Sequence, residues 1–169
     1  HGFGYSVFEH AEAGIASELR CYVATDAPIK FMVLKLRNHS GRPRRLSITG
    51  LFELVLGTSR ASNLPHVVTE QDLASGALFA RNAYSSEFAA RVAFLDCSEA
   101  TRSVSGDRLE FIGRNGNLAR PAAMKRARLS GRVGAGFDPC MAMQVTVDLA
   151  DGQERELAIL FADIRAFTR

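Results

Sequence analysis

Four histidines and three cysteines are the side chains best suited to nucleophilic or metal chemistry, and their spacing argues against both. His1, His10, His39 and His66 are scattered, and none stands at a metal-ligand interval from another histidine or from Cys21, Cys97 or Cys140. The cysteines are odd in number and far apart, which suits reduced thiols better than a disulfide frame or a zinc site. No Gly-x-Ser-x-Gly elbow occurs. Carboxylates are plentiful, but in a β-rich chain a pair able to flank a glycosidic bond is not recognisable from spacing. The residue types therefore assign no catalytic group, no metal ligand and no cofactor.

A glycine-rich stretch, Gly131, Gly134 and Gly136 running into Asp138-Pro139, invites comparison with a phosphate-binding loop. That chemistry needs the amide-rich start of a helix and a following Lys-Ser/Thr, and neither is present. The stretch leads instead into a strand, with Met141, Met143, Val145, Val147 and Leu149 pointing one way and Ala142, Gln144, Thr146 and Asp148 the other. Here Gly136 lets the chain turn, Asp138 can cap the turn, and Pro139 opens a strand where no amide donor is required. Asp107 and Arg114 have a structural reading too, through ion pairs or hydrogen bonds to loop carbonyls. Asn115, followed by Gly116, suits a turn with positive φ.

The elements that would carry these residues are mostly strands. Tyr5 to His10 and Ala16 to Val23 pair through a turn near Ala13-Gly14, and Ile29 to Asn38 is apolar on both faces and therefore central. From Arg44, a strand places Leu46, Ile48, Phe52, Leu54 and Leu56 on one face, with Gly50 at a bulge or close approach. Gly57 to Asp72 has no periodicity and reads as a long, partner-facing loop. Ala77 to Asn82 and Glu87 to Leu95 follow, the second with Phe88, Ala90, Val92 and Phe94 turned inward. Ser98 to Ser105 reads as loop, Asp107 to Ile112 as a short strand, and Pro121 to Arg128 as a two-turn helix. After Asp151-Gly152, Glu154 to Phe161 returns with Leu157, Ile159 and Phe161 on one face. The sum is an all-β, antiparallel two-sheet sandwich of about eight or more strands with one short helix.

Size and composition fit one soluble domain: 169 residues, 47% apolar and 23% charged. No apolar run approaches the roughly 18 residues of a membrane span, so the fragment itself is not expected to be membrane-inserted. The formal charge of +3 is small. No aromatic residues interleave with the densest basic run, Arg42-Pro43-Arg44-Arg45, so nucleic acid is not an expected partner. A start at His1 without Met reads as a piece of a longer polypeptide.

Several further segments, taken in order, form a set more specific than any one of them. They are His1-Gly2-Phe3-Gly4-Tyr5-Ser6, Asn38-His39-Ser40-Gly41-Arg42, Leu54-Val55-Leu56-Gly57 and Ala80-Arg81-Asn82. To these add Gly106-Asp107-Arg108, Glu110 to Gly116, Leu129-Ser130-Gly131, Gly134-Ala135-Gly136 and Asp138-Pro139-Cys140. Together these segments resemble those of cyclic β-1,2-glucan synthases, in the region that is similar to the disaccharide phosphorylases of glycoside hydrolase family 94. The resemblance implies a super-sandwich domain, 1–162, with 163–169 starting a linker toward an (α/α)6 barrel that holds the catalytic acid and the phosphate site. It implies inverting phosphorolysis by the whole enzyme and none by this domain alone. Because dimers of the family pack this domain against a neighbouring subunit, Arg60 and His66 are the expected substrate- or partner-facing residues.

The expected partners are thus the barrel of the same polypeptide, a second copy in a homodimer, and β-glucan. The expected location is cytoplasmic, as a soluble domain of an inner-membrane protein. An autonomous carbohydrate-binding module is the alternative, weakened by the lack of Trp and by only 3 Tyr for stacking on pyranose rings. A free-standing enzyme would need a site that the residues do not assemble.

Overall fold

The structure is a computed structural model and describes residues 1–85 and 89–165. Ten strands run in chain order: β1 Tyr5–Glu12, β2 Ile15–Val23, β3 Ile29–Asn38, β4 Arg44–Glu53, β5 Val68–Gln71, β6 Leu78–Arg81, β7 Arg91–Cys97, β8 Arg102–Asp107, β9 Pro139–Leu149 and β10 Glu154–Arg165. They form a seven-stranded sheet, β1-β2-β3-β10-β7-β6-β5, and a three-stranded sheet, β4-β9-β8, with every pairing antiparallel. The all-β sandwich expected from alternation is the architecture observed. β10 runs past Phe161 to Arg165, and 166–169 lie outside the described residues.

The core lies between the sheets. Met141, Met143, Val145, Val147 and Leu149 of β9 are buried there against Leu78, Leu95 and Leu157 of the large sheet, in the alternation that the sequence predicts. Phe52 of β4 stacks on Phe161 of β10 with ring centroids 5.0 Å apart. β4 pairs with β9 in unbroken register from Arg44↔Leu149 to Glu53↔Cys140, so Gly50 is no bulge. It is a close approach: a Cβ there would meet the Phe52 ring at 3.4 Å and the Ile159 side chain at 3.7 Å.

A third layer covers the other face of the small sheet. Phe111, Ile112, Ala123 and Leu129 pack onto Cys140, Ala142 and Leu51, which leaves β9 dry on both sides from Pro139 to Val145, with Thr146 and Asp148 exposed beyond. This layer departs most from the sequence reading. Arg102 to Asp107 is strand β8 rather than loop, and the expected strand Asp107 to Ile112 is instead a short helix, α2 (Arg108–Ile112). The reason is the Asp107 carboxylate, which accepts from the amides of Leu109 (3.0 Å) and Glu110 (3.3 Å) and so caps the helix. The two-turn helix expected over Pro121 to Arg128 contracts to one 3₁₀ turn, Ala122–Lys125. Nor does Asn115 take the positive φ; Gly113 does, at 91°.

Two further expectations change. Gly57 to Asp72 is not bare loop: it holds a one-turn helix α1 (Arg60–Asn63), a 3₁₀ turn (Leu64–His66) and edge strand β5. In β7 the residues turned to the small sheet are Ala93, Leu95 and Cys97, not Val92 and Phe94. Both sets are apolar, so alternation alone permits either phase. The expected inward-facing Phe88 lies outside the described residues.

Leu95 is fully buried between Leu78 and Phe161 in the sheet register. Leu95→Ala is expected to lower stability by about 2–5 kcal/mol through transfer and cavity terms, read by urea unfolding. Leu118→Ala, at a side chain 61% exposed, is expected to stay within about 0.5 kcal/mol of the parent.

Candidate functional site

The sequence places Asp138 directly before β9, and the fold brings two arginines to it. Arg60, from α1, pairs with Asp138 Oδ1, and Arg108, from α2, reaches Oδ2 at 3.6 Å while bonding Glu53 of β4. Arg60 also donates to the Leu54 carbonyl at 3.5 Å, and the Asp138 carbonyl accepts from the Arg108 amide at 2.7 Å. The side chains of Arg60 and Asp138 are about three-quarters buried, at 28% and 23% exposed. Asp138 is therefore a clasp joining α1, α2 and β4, rather than a cap on its own turn. The hydrogen bond that Arg108 donates to the Glu53 carboxylate holds its guanidinium more firmly protonated than usual, against the opposing effect of burial. Pro139 opens β9 as the sequence predicts.

The segment bearing Arg60 is braced from behind by two buried amides. Asn82 Nδ2 donates to the Leu56 carbonyl (2.8 Å) and to Asn63 Oδ1 (2.9 Å), while Asn63 Nδ2 donates to the Ser59 carbonyl (2.6 Å). Leu56 takes φ 42°, an uncommon conformation for a branched side chain, and Gly57 packs so tightly that a Cβ would lie 2.4 Å from the Asn63 amide. His66 stacks on Tyr84 with centroids 4.0 Å apart, and Tyr84 is exposed. The structure thus separates the two expected partner-facing residues: Arg60 is engaged inside the clasp, and His66 lies in a surface stack.

Asp107 also meets Arg132 at 3.4 Å, and Glu110 is held by Arg126 and by the Ser130 hydroxyl (2.6 Å). Burial opposes ionisation of Glu110. The Ser130 and Arg126 hydrogen bonds and the Arg126 and Arg132 charges outweigh it and keep the carboxyl below its usual range. Arg114 and Asn115 are exposed, and Arg114 makes no ion pair among the described residues. Gly136, at φ 78°, meets nothing within 4 Å, so its role is backbone conformation alone. Burial drives the Cys140 thiol up to about 12, helped by Asp107 and Asp138, which leaves it a poor nucleophile.

Two features of the large sheet's open face are absent from the residue-type search. A shallow cleft of about 430 Å³ is lined by Glu9, Glu18, Lys35, Arg37 and Glu154, among others. Both of its cations are engaged by one carboxylate, with Glu154 accepting from Lys35 (2.8 Å) and Arg37. Along the same face, Tyr5, Tyr22 and Phe31 stand opposite one another on adjacent strands, and Tyr22 stacks on Phe31 at 5.2 Å. The period-2 pattern of β1 to β3 contains this row, but only the register aligns it.

The profile of the family described as glycosyl hydrolase 94, supersandwich domain, matches residues 1–167. The chain belongs to that family. It is 32% identical over 164 residues to the cyclic β-(1,2)-glucan synthase NdvB of Rhizobium meliloti, covering 96% of this chain and 6% of that protein. It is 26% identical over 157 residues to a solabiose phosphorylase of Paenibacillus borealis, covering 91% of this chain and 20% of that one. The chain thus spans a small part of the length of these relatives. In fold, this supersandwich domain resembles a protein described as a candidate kojibiose phosphorylase from the human microbiome (TM-score 0.52, 6% identity, 95% of this chain and 17% of that one). It also resembles a candidate aldose 1-epimerase of Escherichia coli K12 (TM-score 0.55, 6% identity, 98% and 67%).

Removing the clasp carboxylate leaves the partly buried Arg60 without its partner. Asp138→Ala is expected to lose about 1–3 kcal/mol of stability in urea unfolding; an unchanged midpoint would show the clasp to be idle. Glu110 has its carboxyl pKa lowered by folding, so its contribution is complete above the unfolded value near 4.5 and disappears as pH falls through the folded value. Glu110→Gln is expected to be less stable than the parent at pH about 7, with the gap closing in acid below pH about 4.

Proposed function

We propose that this supersandwich domain is a non-catalytic part of a cyclic β-1,2-glucan synthase or glycoside phosphorylase-like enzyme, where it supports an (α/α)6 catalytic barrel of the same polypeptide. In this reading the sandwich extends to the end of β10 at Arg165, three residues beyond the expected boundary at 162, the linker toward the barrel follows it, and the domain works in the cytoplasm as part of a membrane-anchored enzyme. Among the described residues, no helix is long and apolar enough to cross a membrane.

The observation that carries the reading is an apolar surface without a cover. Leu157, Leu34, Leu19 and Phe8 stand side by side across β10, β3, β2 and β1. Leu157 is 2% exposed beneath the small sheet, Leu34 and Leu19 are half-buried, and Phe8 is 55% exposed. The small sheet ends at β4, whose second edge has no strand partner among the described residues. A bare strand edge and a wet apolar wing are each unfavourable for an isolated domain and natural for one that packs against more protein. The same surface would serve a homodimer.

Phe8→Ser is therefore expected to change the stability of the 169-residue chain by less than about 0.5 kcal/mol, since Phe8 is largely solvated there. In the longer polypeptide, the same substitution is expected to cost about 1–3 kcal/mol, because the side chain would be buried. Equal effects in both settings would refute the reading. Glucose 1-phosphate release from β-1,2-glucan and phosphate is expected of the longer polypeptide and not of this chain.

The aromatic row Tyr5, Tyr22 and Phe31 favours a second reading, in which the domain also binds β-glucan on its open face, because flat rings stack on the apolar faces of pyranoses. Calorimetric titration with β-1,2-glucan tests it: Tyr5→Ala, at an exposed ring, should weaken any binding without unfolding the sheet.

A further inference from the structure

We propose that the outer surface of the third layer docks on a membrane surface bearing anionic phospholipids. Between Phe111 and Phe137 the sequence has six of its 21 basic residues and none of its 18 acidic ones, so the rest of the chain has a net charge of −3. The layer's apolar anchors, Phe111, Ile112, Ala123 and Leu129, are turned to the small sheet. That leaves Arg114, Arg120, Lys125 and Arg128 exposed, and none forms an ion pair among the described residues. The nearby acids are already engaged: Glu110 with Arg126, Asp107 with Arg132, and Glu53 with Arg108. The four free cations therefore present unneutralised charge on one surface of the fold.

Two apolar side chains protrude among these cations. Leu118 is 61% exposed and Met124 48% exposed, on the loop and the 3₁₀ turn that bear the basic residues. Cations that hold phosphate headgroups, interleaved with single apolar side chains that enter the acyl boundary, form the composition of an interfacial membrane contact. A nucleic-acid surface would call for aromatic rings among the cations, and this outer surface has none from Arg114 to Arg132. An acidic protein face would match the charge but leave Leu118 and Met124 without a purpose. Membrane docking uses only this layer and stands independently of the glucan-synthase reading.

The test is co-sedimentation of the 169-residue chain with vesicles of phosphatidylglycerol and phosphatidylcholine, against vesicles of phosphatidylcholine alone. Binding is expected only to the anionic vesicles and should weaken as salt is raised. Each cation near the surface contributes roughly fivefold to partitioning, so Arg114→Gln, Arg120→Gln, Lys125→Gln and Arg128→Gln together should reduce it by more than about a hundredfold. Leu118→Ser with Met124→Ser should keep the anionic preference and lower the partition coefficient about tenfold. Both variants change exposed side chains, and unchanged circular dichroism and melting will verify the fold. Absence of vesicle binding, or binding unaffected by the cation variant, would overturn the proposal. So would displacement of the vesicles by equal charge concentrations of polyglutamate or RNA, which would assign the surface to an acidic polypeptide or a nucleic acid.

Discussion

The first part of strand β9, Pro139 to Val145, has to be dry on both faces, whereas Thr146 and Asp148 further along are exposed, and much of the fold follows from how that burial is achieved. One face presents Met141, Met143, Val145, Val147 and Leu149 to the large sheet; the other presents Cys140, Ala142 and Gln144, which are also buried. Burying the first face requires only another sheet. Burying the second requires a layer that turns tightly and still satisfies its own backbone, because unpaired amides and carbonyls in a dry site cost about 1–3 kcal/mol each. The Arg108–Leu129 segment meets this need with a helix of five residues, one 3₁₀ turn and a side-chain cap from Asp107. The glycine loop after it returns the chain to the start of β9, where Pro139 needs no amide partner.

The Asp138 clasp is the complement of that arrangement. Its carboxylate draws together Arg60 and Arg108, which lie far apart in sequence and on different elements. Two guanidiniums on one carboxylate, with Arg108 also on Glu53, tie α1, α2 and β4 to one point. Arg60, read from sequence as substrate- or partner-facing, is thus also a strut within the fold, with its side chain 28% exposed. The His66–Tyr84 stack, by contrast, is exposed on Tyr84 and makes no such demand on the fold.

What the sequence makes legible depends on whether its pattern has one solution or two. β9 and β10 alternate cleanly, and their inward residues are those observed. β7 is apolar in both phases, so the choice between Phe94 and Leu95 as the inward residue depends on the partner strands β6 and β10, not on β7 itself. The α2 helix carries a readable signal, Asp107-x-x-Glu110, the spacing of a capping box. A polar stretch ahead of it and a short apolar run within it favour the strand reading, and the cap decides otherwise. The Asp138–Arg60 pair has no local signal, since it spans 78 residues of sequence. The basic character of the third layer is visible in composition alone. Its placement on one outer surface is not, because it depends on which four residues the small sheet holds inward.

Two surfaces are left open, and their chemistry requires different partners. The wing of Phe8 and Leu19 is apolar, and the outer edge of β4 has no strand partner among the described residues, so both gain from a dry contact that is insensitive to salt. The third layer's outer face carries unpaired cations around two isolated apolar side chains, so it gains from a wet, anionic contact that weakens as salt rises. One partner cannot satisfy both: a dry interface would strand Arg114, Arg120, Lys125 and Arg128 without counter-charges, and a headgroup region would leave the edge of β4 unpaired. The two proposals therefore assign the surfaces to different partners: a protein body on the wing and an anionic boundary at the third layer.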